Sequence, residues 1–283
     1  MRVLIAGARG QLAMEFQRRL EGDASFQVTA LGREELDVSD AAAVDGAVSL
    51  HRPAVVLNCS AYNLVDRAEE DDGPAFRINA EGVRNLATSC RRRGALLVHY
   101  STDYVFDGTK EDFYTEEDAS CPLNKYGESK LAGERLLREE TEDFLLFRVS
   151  WVFGQGTQNF LYKLSEWAKR NAVLKVVGDQ VSVPTYTEDV VEATLSALKK
   201  GVRGMYHLTN SGYASRYEVA RYYLEGLGLS NLLLPVTSDH FPTPAKRPYF
   251  TAMSNAGISR ALDRDLPDWR DAVDRFIKRM EKR

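Results

Sequence analysis

The stretch NKYGESKLAGE holds two residues with the types and spacing for proton chemistry, Tyr126 and, four residues on, Lys130. On a helix that interval puts both side chains on one face. A phenol beside a cation can act as a general acid or base, because an opposite charge within about 4–6 Å favours the phenolate. Bringing a phenol from its usual ~10 toward ~7 takes roughly 4 kcal/mol of differential stabilisation. An ordinary amphipathic helix can carry the same pair, so the pair alone decides nothing. A third candidate hydroxyl, Thr102, follows Ser101 at the end of the apolar run ALLVHYST. There it can hydrogen-bond a substrate carbonyl or satisfy its own backbone.

The stretch GARGQLA points to phosphate binding. Gly7 and Gly10 stand where a tight turn brings backbone N–H groups to a phosphate at a helix N-terminus. Ala13 takes the place of the usual third glycine and is small enough for close helix–sheet packing. Further on, LGREELD ends a second apolar run. An Arg there accepts a ribose 2′-phosphate, whereas an acidic residue bonds a 2′-hydroxyl. Arg33 therefore points to NADPH, Glu34 and Glu35 beside it keep NADH open, and a solvated loop Arg is the bland alternative.

These residues need elements to position them. RVLIAG, FQVTAL, AVVLNCSA, ALLVHYSTDYVF and FLLFRVSWVFG read as five strands, with helical patterns between them. DGPAFRINAEGVRNLATSCRRRG reads as one of these helices. Such alternation predicts an α/β fold, a doubly wound parallel sheet of the Rossmann type. We expect a dinucleotide-binding domain over residues 1–154 and a smaller, interleaved C-terminal substrate lobe over 155–283. A helix near 186–200 is expected to return to the sheet. Asn159, Lys246 and Arg247 are candidates to bind a substrate diphosphate, and each is equally readable as a surface residue. The triplet Arg91–Arg93 complements a helix dipole, and the tyrosines at 213, 217, 222 and 223 read as packing.

The bulk numbers limit the function classes. The chain has 283 residues, 44% hydrophobic and 28% charged, with a net charge of −4. That balance gives no support to nucleic acid or an anionic membrane as partner, and no apolar run approaches the ~20 residues of a membrane span. Three scattered cysteines suggest a reducing, cytoplasmic setting rather than disulfides. The four histidines form no metal-binding spacing, so no metal is expected from the residues themselves.

Taken together, GARGQLA, LGREELDVSD, NCSAYNLVDRAEED, FRINAEGVRNLA, HYSTDYVFDG, YGESKLAGE, RVSWVFG and GMYHLTNSGYASRYEVA resemble the extended short-chain dehydrogenase/reductase family, and within it the dTDP-4-dehydrorhamnose reductases. The likeness covers about residues 1 to 220, and KRPYFTAMSNA extends it to about 256. It implies reduction of the 4-keto group of a nucleotide-linked 6-deoxy sugar by NADPH, or by NADH, with dTDP-4-dehydro-L-rhamnose as the expected substrate. It also implies roles. Thr102, Tyr126 and Lys130 form the catalytic set, with Tyr126 as proton donor and Lys130 on the nicotinamide ribose. Gly7, Gly10, Gln11 and Leu12 form the pyrophosphate turn, Asp37 and Val38 the adenine contact. Ala61, Tyr62, Asn63 and Tyr100 run along the cofactor. Asp103, Tyr104 and Trp151 line the sugar pocket.

Some relatives pair through Mg2+ at a dimer interface. Its ligands are not assignable in this sequence, and monomer and homodimer stay open. Three departures stand out: Ala13 for a glycine, Ser182 in DQVSVPTY where a glycine is expected, and YFTAMSN for the usual Ser–x–Leu. The last two bear on the identity of the sugar and nucleotide. Dehydratases and epimerases of the family are rivals. The dehydratases follow the Thr with Asp then Glu, whereas here Asp103 is followed by Tyr104. The regulatory subunit of methionine adenosyltransferase is similar too, and acts by binding a partner.

Overall fold

The computed structural model describes residues 1–281. Five strands follow one another as expected: β1 Arg2–Ala6, β2 Gln27–Leu31, β3 Val55–Asn58, β4 Leu96–Thr102 and β5 Phe144–Val149. A sixth, Gly204–His207, pairs with β5 from beyond residue 154. From this strand the order runs β5, β4, β3, β1, β2, with every pairing parallel. β3 and β4 are buried along their whole length. A strand covered on both faces is apolar throughout rather than alternating, which explains VVLN and most of LLVHYST.

Helices cover both faces. On one, Phe16 of the Gln11–Leu20 helix packs with Tyr100, Phe147 and the returning Thr187–Lys200 helix, which contributes Val190, Ala193 and Ala197. On the other, Val44, Val48, Val83, Leu86 and Leu137 fill the core. The second lobe has its own core, in which Leu161, Leu164, Tyr186, Tyr223, Trp269 and Phe276 meet. Its parallel pair of strands is Val173–Val177 with Leu232–Val236.

Two expected elements come out differently. The fifth strand stops at Val149, because Trp151 has φ of 39°, outside any extended conformation. The chain resumes at Val152–Phe153, which pairs with Thr185–Tyr186 instead. The single helix expected from DGPAFRINAEGVRNLATSC is interrupted by a π turn over Arg77–Glu81. There Gly133 of the Lys125–Glu140 helix packs so tightly that a Cβ would meet the Asn79 carbonyl oxygen at 2.0 Å.

Candidate active site

The helix carrying Tyr126 is anchored at its start from three sides. Asn124 caps it, accepting from the Gly127 N–H at 2.8 Å and donating to the Lys246 carbonyl at 2.9 Å. The cap thus ties the helix to the second lobe. Asn79 in the π turn donates to Ser129 Oγ at 3.0 Å, and that hydroxyl donates to the Tyr126 carbonyl at 2.7 Å. π turns often mark functional positions, and this one braces the Tyr126 turn. The Tyr104 ring stands edge-on to that of Tyr126, centroids 5.8 Å apart.

Tyr126, Lys130 and Thr102 share one cleft of about 1440 Å³ at the carboxyl edge of the sheet. Burial raises the Tyr126 phenol well above its usual range, and the Thr102 hydroxyl opposes that shift. Burial also lowers Lys130 to about 8, against the pull of Glu134. The Lys130 ammonium donates to the Tyr100 carbonyl at 2.6 Å. For the phenol, burial outweighs any pull of Lys130. Desolvation dominates, and Tyr126 stands as a protonated phenol. Thr102 makes the backbone contact expected of it, its oxygen accepting from the Tyr104 N–H at 3.2 Å, and its hydroxyl lies 3.2 Å from Asp103 Oδ1.

At one end of the cleft lie Gly10, Gln11 and Leu12. The helix they open has no side-chain cap, so its first N–H groups are left for an anion. Gly7 has φ of 82°, and a Cβ on it would meet the Cys59 carbonyl carbon at 2.8 Å. Only glycine suits that position. Ala61, Asn63 and Tyr100 also line the cleft. Gly7, Arg33, Asp37, Val38 and Tyr62 do not. Val38 is buried under Gly82, and Asp37 accepts from both the backbone and the hydroxyl of Ser39. Arg33 is exposed at the end of β2. Glu34 pairs with Arg9 at 3.1 Å and Glu35 accepts from the Gly32 N–H, which leaves Arg33 outside both contacts.

Tyr104, Trp151, Asn159 and Arg247 line the other end. Two of them are already engaged. Asn159 caps the Phe160–Arg170 helix, accepting from Tyr162 N–H and donating to the carbonyls of Gly154 and Gly156. Arg247 holds Asp66 through two hydrogen bonds, of 2.9 and 2.7 Å. The departures Ser182 and Thr251 do not face the sugar end. Both hydroxyls donate to the carboxylate of Asp103. Asp103 lines the cleft, and its Oδ2 is taken up by these two hydroxyls.

Sequence reasoning missed Arg216, Lys163 and Lys175, which also line the cleft. Arg216 lies over the Trp151 ring, 4.2 Å from its centroid. A signal existed: Arg216 opens a helix behind the capping box of Ser215 and Glu218, where a cation opposes the helix dipole. Arg9 was missed inside the glycine turn itself.

Among the described residues, no group of three or more His, Cys, Asp or Glu side chains could hold a metal ion. No described helix is long and apolar enough to cross a membrane.

A parallel sheet, an open glycine turn and a Thr–Tyr–Lys cluster at its carboxyl edge define a Rossmann-type protein of the short-chain dehydrogenase/reductase class. More particularly, the chain belongs to the RmlD substrate binding domain family, whose model matches residues 1–282. It is 38% identical to a dTDP-4-dehydrorhamnose reductase of Burkholderia thailandensis, over 96% of this chain and 97% of the relative. The crystal structure of a dTDP-4-dehydrorhamnose reductase from Clostridium acetobutylicum superimposes with a TM-score of 0.96 at 34% identity, covering 99% of this chain and 100% of that one. The enzyme of the same name from Bacillus anthracis, solved with NADP, gives 0.95 at 32% identity, covering 98% and 99%.

Proposed function

We propose that this protein is an NAD(P)H-dependent reductase of the 4-keto group of a dTDP-linked 6-deoxy sugar, with dTDP-4-dehydro-L-rhamnose as substrate and dTDP-L-rhamnose as product. The observation that carries the reading is the meeting of Thr102, Tyr126 and Lys130 in a cleft running from the glycine turn to the second lobe.

The residues fit a dinucleotide. Gly10, Gln11 and Leu12 would hold the pyrophosphate, and Gly7 would keep the turn tight, since the space where its Cβ would lie is filled by backbone. Asp37 and Val38 would border the adenine. Ala61, Tyr62, Asn63 and Tyr100 would flank the path to the nicotinamide, and Lys130 would hold its ribose. The exposed Arg33, with Arg9 nearby, supports NADPH over NADH. When bound, the reduced nicotinamide supplies hydride.

The chain's own residues supply the rest. Thr102 and Tyr126 would both hydrogen-bond the ketone oxygen. As negative charge grows there, Tyr126 hands over its proton. The phenol is protonated and so able to donate, and the transfer runs downhill because an alkoxide is a stronger base than a phenolate. Lys130 would orient the cofactor and support the phenolate left behind. Arg216, Arg247, Lys246, Lys163 and Lys175 are the cations on hand for the sugar's diphosphate. The three unpaired cysteines suit a cytoplasmic setting.

The test is to incubate the protein with dTDP-4-dehydro-L-rhamnose generated in situ and follow NADPH and NADH oxidation separately. Stoichiometric oxidation matched by dTDP-L-rhamnose formation supports the reading. Tightly bound NAD recycled without net consumption would replace it with an epimerase.

A further inference from the structure

Asp103 follows Thr102 at the end of β4 and is only 2% exposed. Its two oxygens have different surroundings. Oδ2 accepts from the hydroxyls of Thr251 at 2.6 Å and Ser182 at 3.0 Å, and these two hydroxyls also touch each other at 3.1 Å. Oδ1 has the Thr102 hydroxyl at 3.2 Å. The hydrogen bonds that Asp103 makes come from hydroxyls and backbone, not from a cation. The titratable groups facing it are Tyr104 in the next turn and Tyr126 on the adjoining helix, while Arg216 and Arg247 approach Tyr104. A buried carboxylate with no cation is costly. Burial accordingly lifts Asp103 above the usual carboxylate range, against the pull of its hydroxyls.

Counting hydrogens gives the consequence. Thr102 has one hydroxyl hydrogen and two acceptor positions, one of them already used by the Tyr104 N–H. If Asp103 is ionised, that hydrogen goes to Oδ1 and Thr102 has none to offer a substrate. If Oδ1 carries a proton, the bond reverses. Asp103 then donates to Thr102, and the Thr102 hydrogen is released into the cleft. Both acceptor positions of Thr102 are then filled, so the Tyr126 hydrogen must also point elsewhere.

We propose that Asp103 is a positioning residue that acts as a neutral carboxylic acid, donating from Oδ1 to Thr102 so that Thr102 and Tyr126 both present hydrogens to the substrate ketone. Ser182 and Thr251 occupy Oδ2 and so fix which oxygen faces Thr102. The proposal rests on the ketoreductase reading above.

Asp103→Asn discriminates. Its amide oxygen can accept from Ser182 and Thr251 while its NH2 donates to Thr102, as the neutral acid would. Asp103→Ala is expected to lower kcat by about tenfold or more, equivalent to ~1.4 kcal/mol of transition-state stabilisation. KM and NADPH affinity should shift less than about threefold, the pattern of an interaction made in the transition state. Asp103→Asn should recover most of that loss. If Asp103→Asn falls as far as Asp103→Ala while still binding NADPH, the carboxylate anion is what the site needs and the proposal is overturned. An unimpaired Asp103→Ala overturns it as well. Should both variants melt early, Thr251→Val carries the test: lower kcat with intact NADPH binding is expected, and unchanged kcat refutes the idea. A wild-type chain that oxidises no NADPH with the ketosugar would refute the ketoreductase reading itself, before any variant is made.

Discussion

Gly127 and Tyr104 are in backbone contact: a Cβ at Gly127 would lie 2.3 Å from the Tyr104 carbonyl oxygen. This contact sets the first turn of the Tyr126 helix against the strand-end loop that carries Thr102. Gly127→Ala is therefore expected to push the two apart. Overpacking of this kind costs about 1–3 kcal/mol, and the displaced hydroxyls should lower kcat as well. Thermal melting and steady-state kinetics of the variant check both.

Tyr126→Phe removes only the phenol hydroxyl. The fold and NADPH affinity should stay near wild type, because the anchors of this turn use its backbone and neighbours. Loss of a general acid usually costs ~100-fold or more in kcat. Near-normal turnover would mean that another group delivers the proton.

Lys130 gives a pH signature. Its folded value is lowered to about 8 by burial, while an unfolded lysine titrates near ~10.4. Between these values the unfolded chain binds more protons, so stability from this group rises with pH. The cost of charging the buried amine is complete below pH 8. Urea unfolding at pH 7.5 and 9.5 should show wild type gaining stability relative to Lys130→Met, while that variant loses activity at both. An equal difference at the two pH values would show that Lys130 is charged as readily in the fold as in water.

Arg247 is shared between a carboxylate and the cleft. Asp66 holds it at 2.7 Å, yet a diphosphate could compete for the same fork of donors. Arg247→Glu should raise KM for the nucleotide sugar by about tenfold or more and change kcat little, as for uniform binding. Swapping the pair, Asp66→Arg with Arg247→Asp, restores the ion pair without restoring KM if Arg247 binds substrate. Full recovery would assign the pair to loop structure alone.

Arg33 governs the choice of cofactor. Arg33→Ala should reduce the NADPH to NADH ratio of kcat/KM by roughly tenfold, the worth of about one charge-assisted hydrogen bond. An unchanged ratio would shift the role to Arg9.

Much of the fold could be read locally. The runs of β3 and β4 are apolar because they are covered on both faces, and the glycine turn has its composition because backbone fills the space beside Gly7. The strand Gly204–His207 was not legible. Its four residues, GMYH, carry too short a pattern, and only pairing with β5 makes them a strand. The break after Val149 was hidden too, since nothing in SWVF announces the positive φ of Trp151.

The site divides along the same line. Tyr126 and Lys130 are one helical turn apart, and Thr102 sits at a strand end, so their grouping follows from spacing and from the rule that ligands bind at the carboxyl edge. The protonation of Tyr126 does not follow from spacing, because burial outweighs a cation whose ammonium bonds the Tyr100 carbonyl. Nor does the engagement of Asp103 by Ser182 and Thr251, 79 and 148 residues away, or of Arg247 by Asp66, 181 residues away. The sequence by itself determined the chemistry on offer, which is carried by residue type and short-range periodicity. Only the tertiary structure decided which of those groups are free and which are already bonded, because desolvation and long-range hydrogen bonds exist only once distant segments have packed.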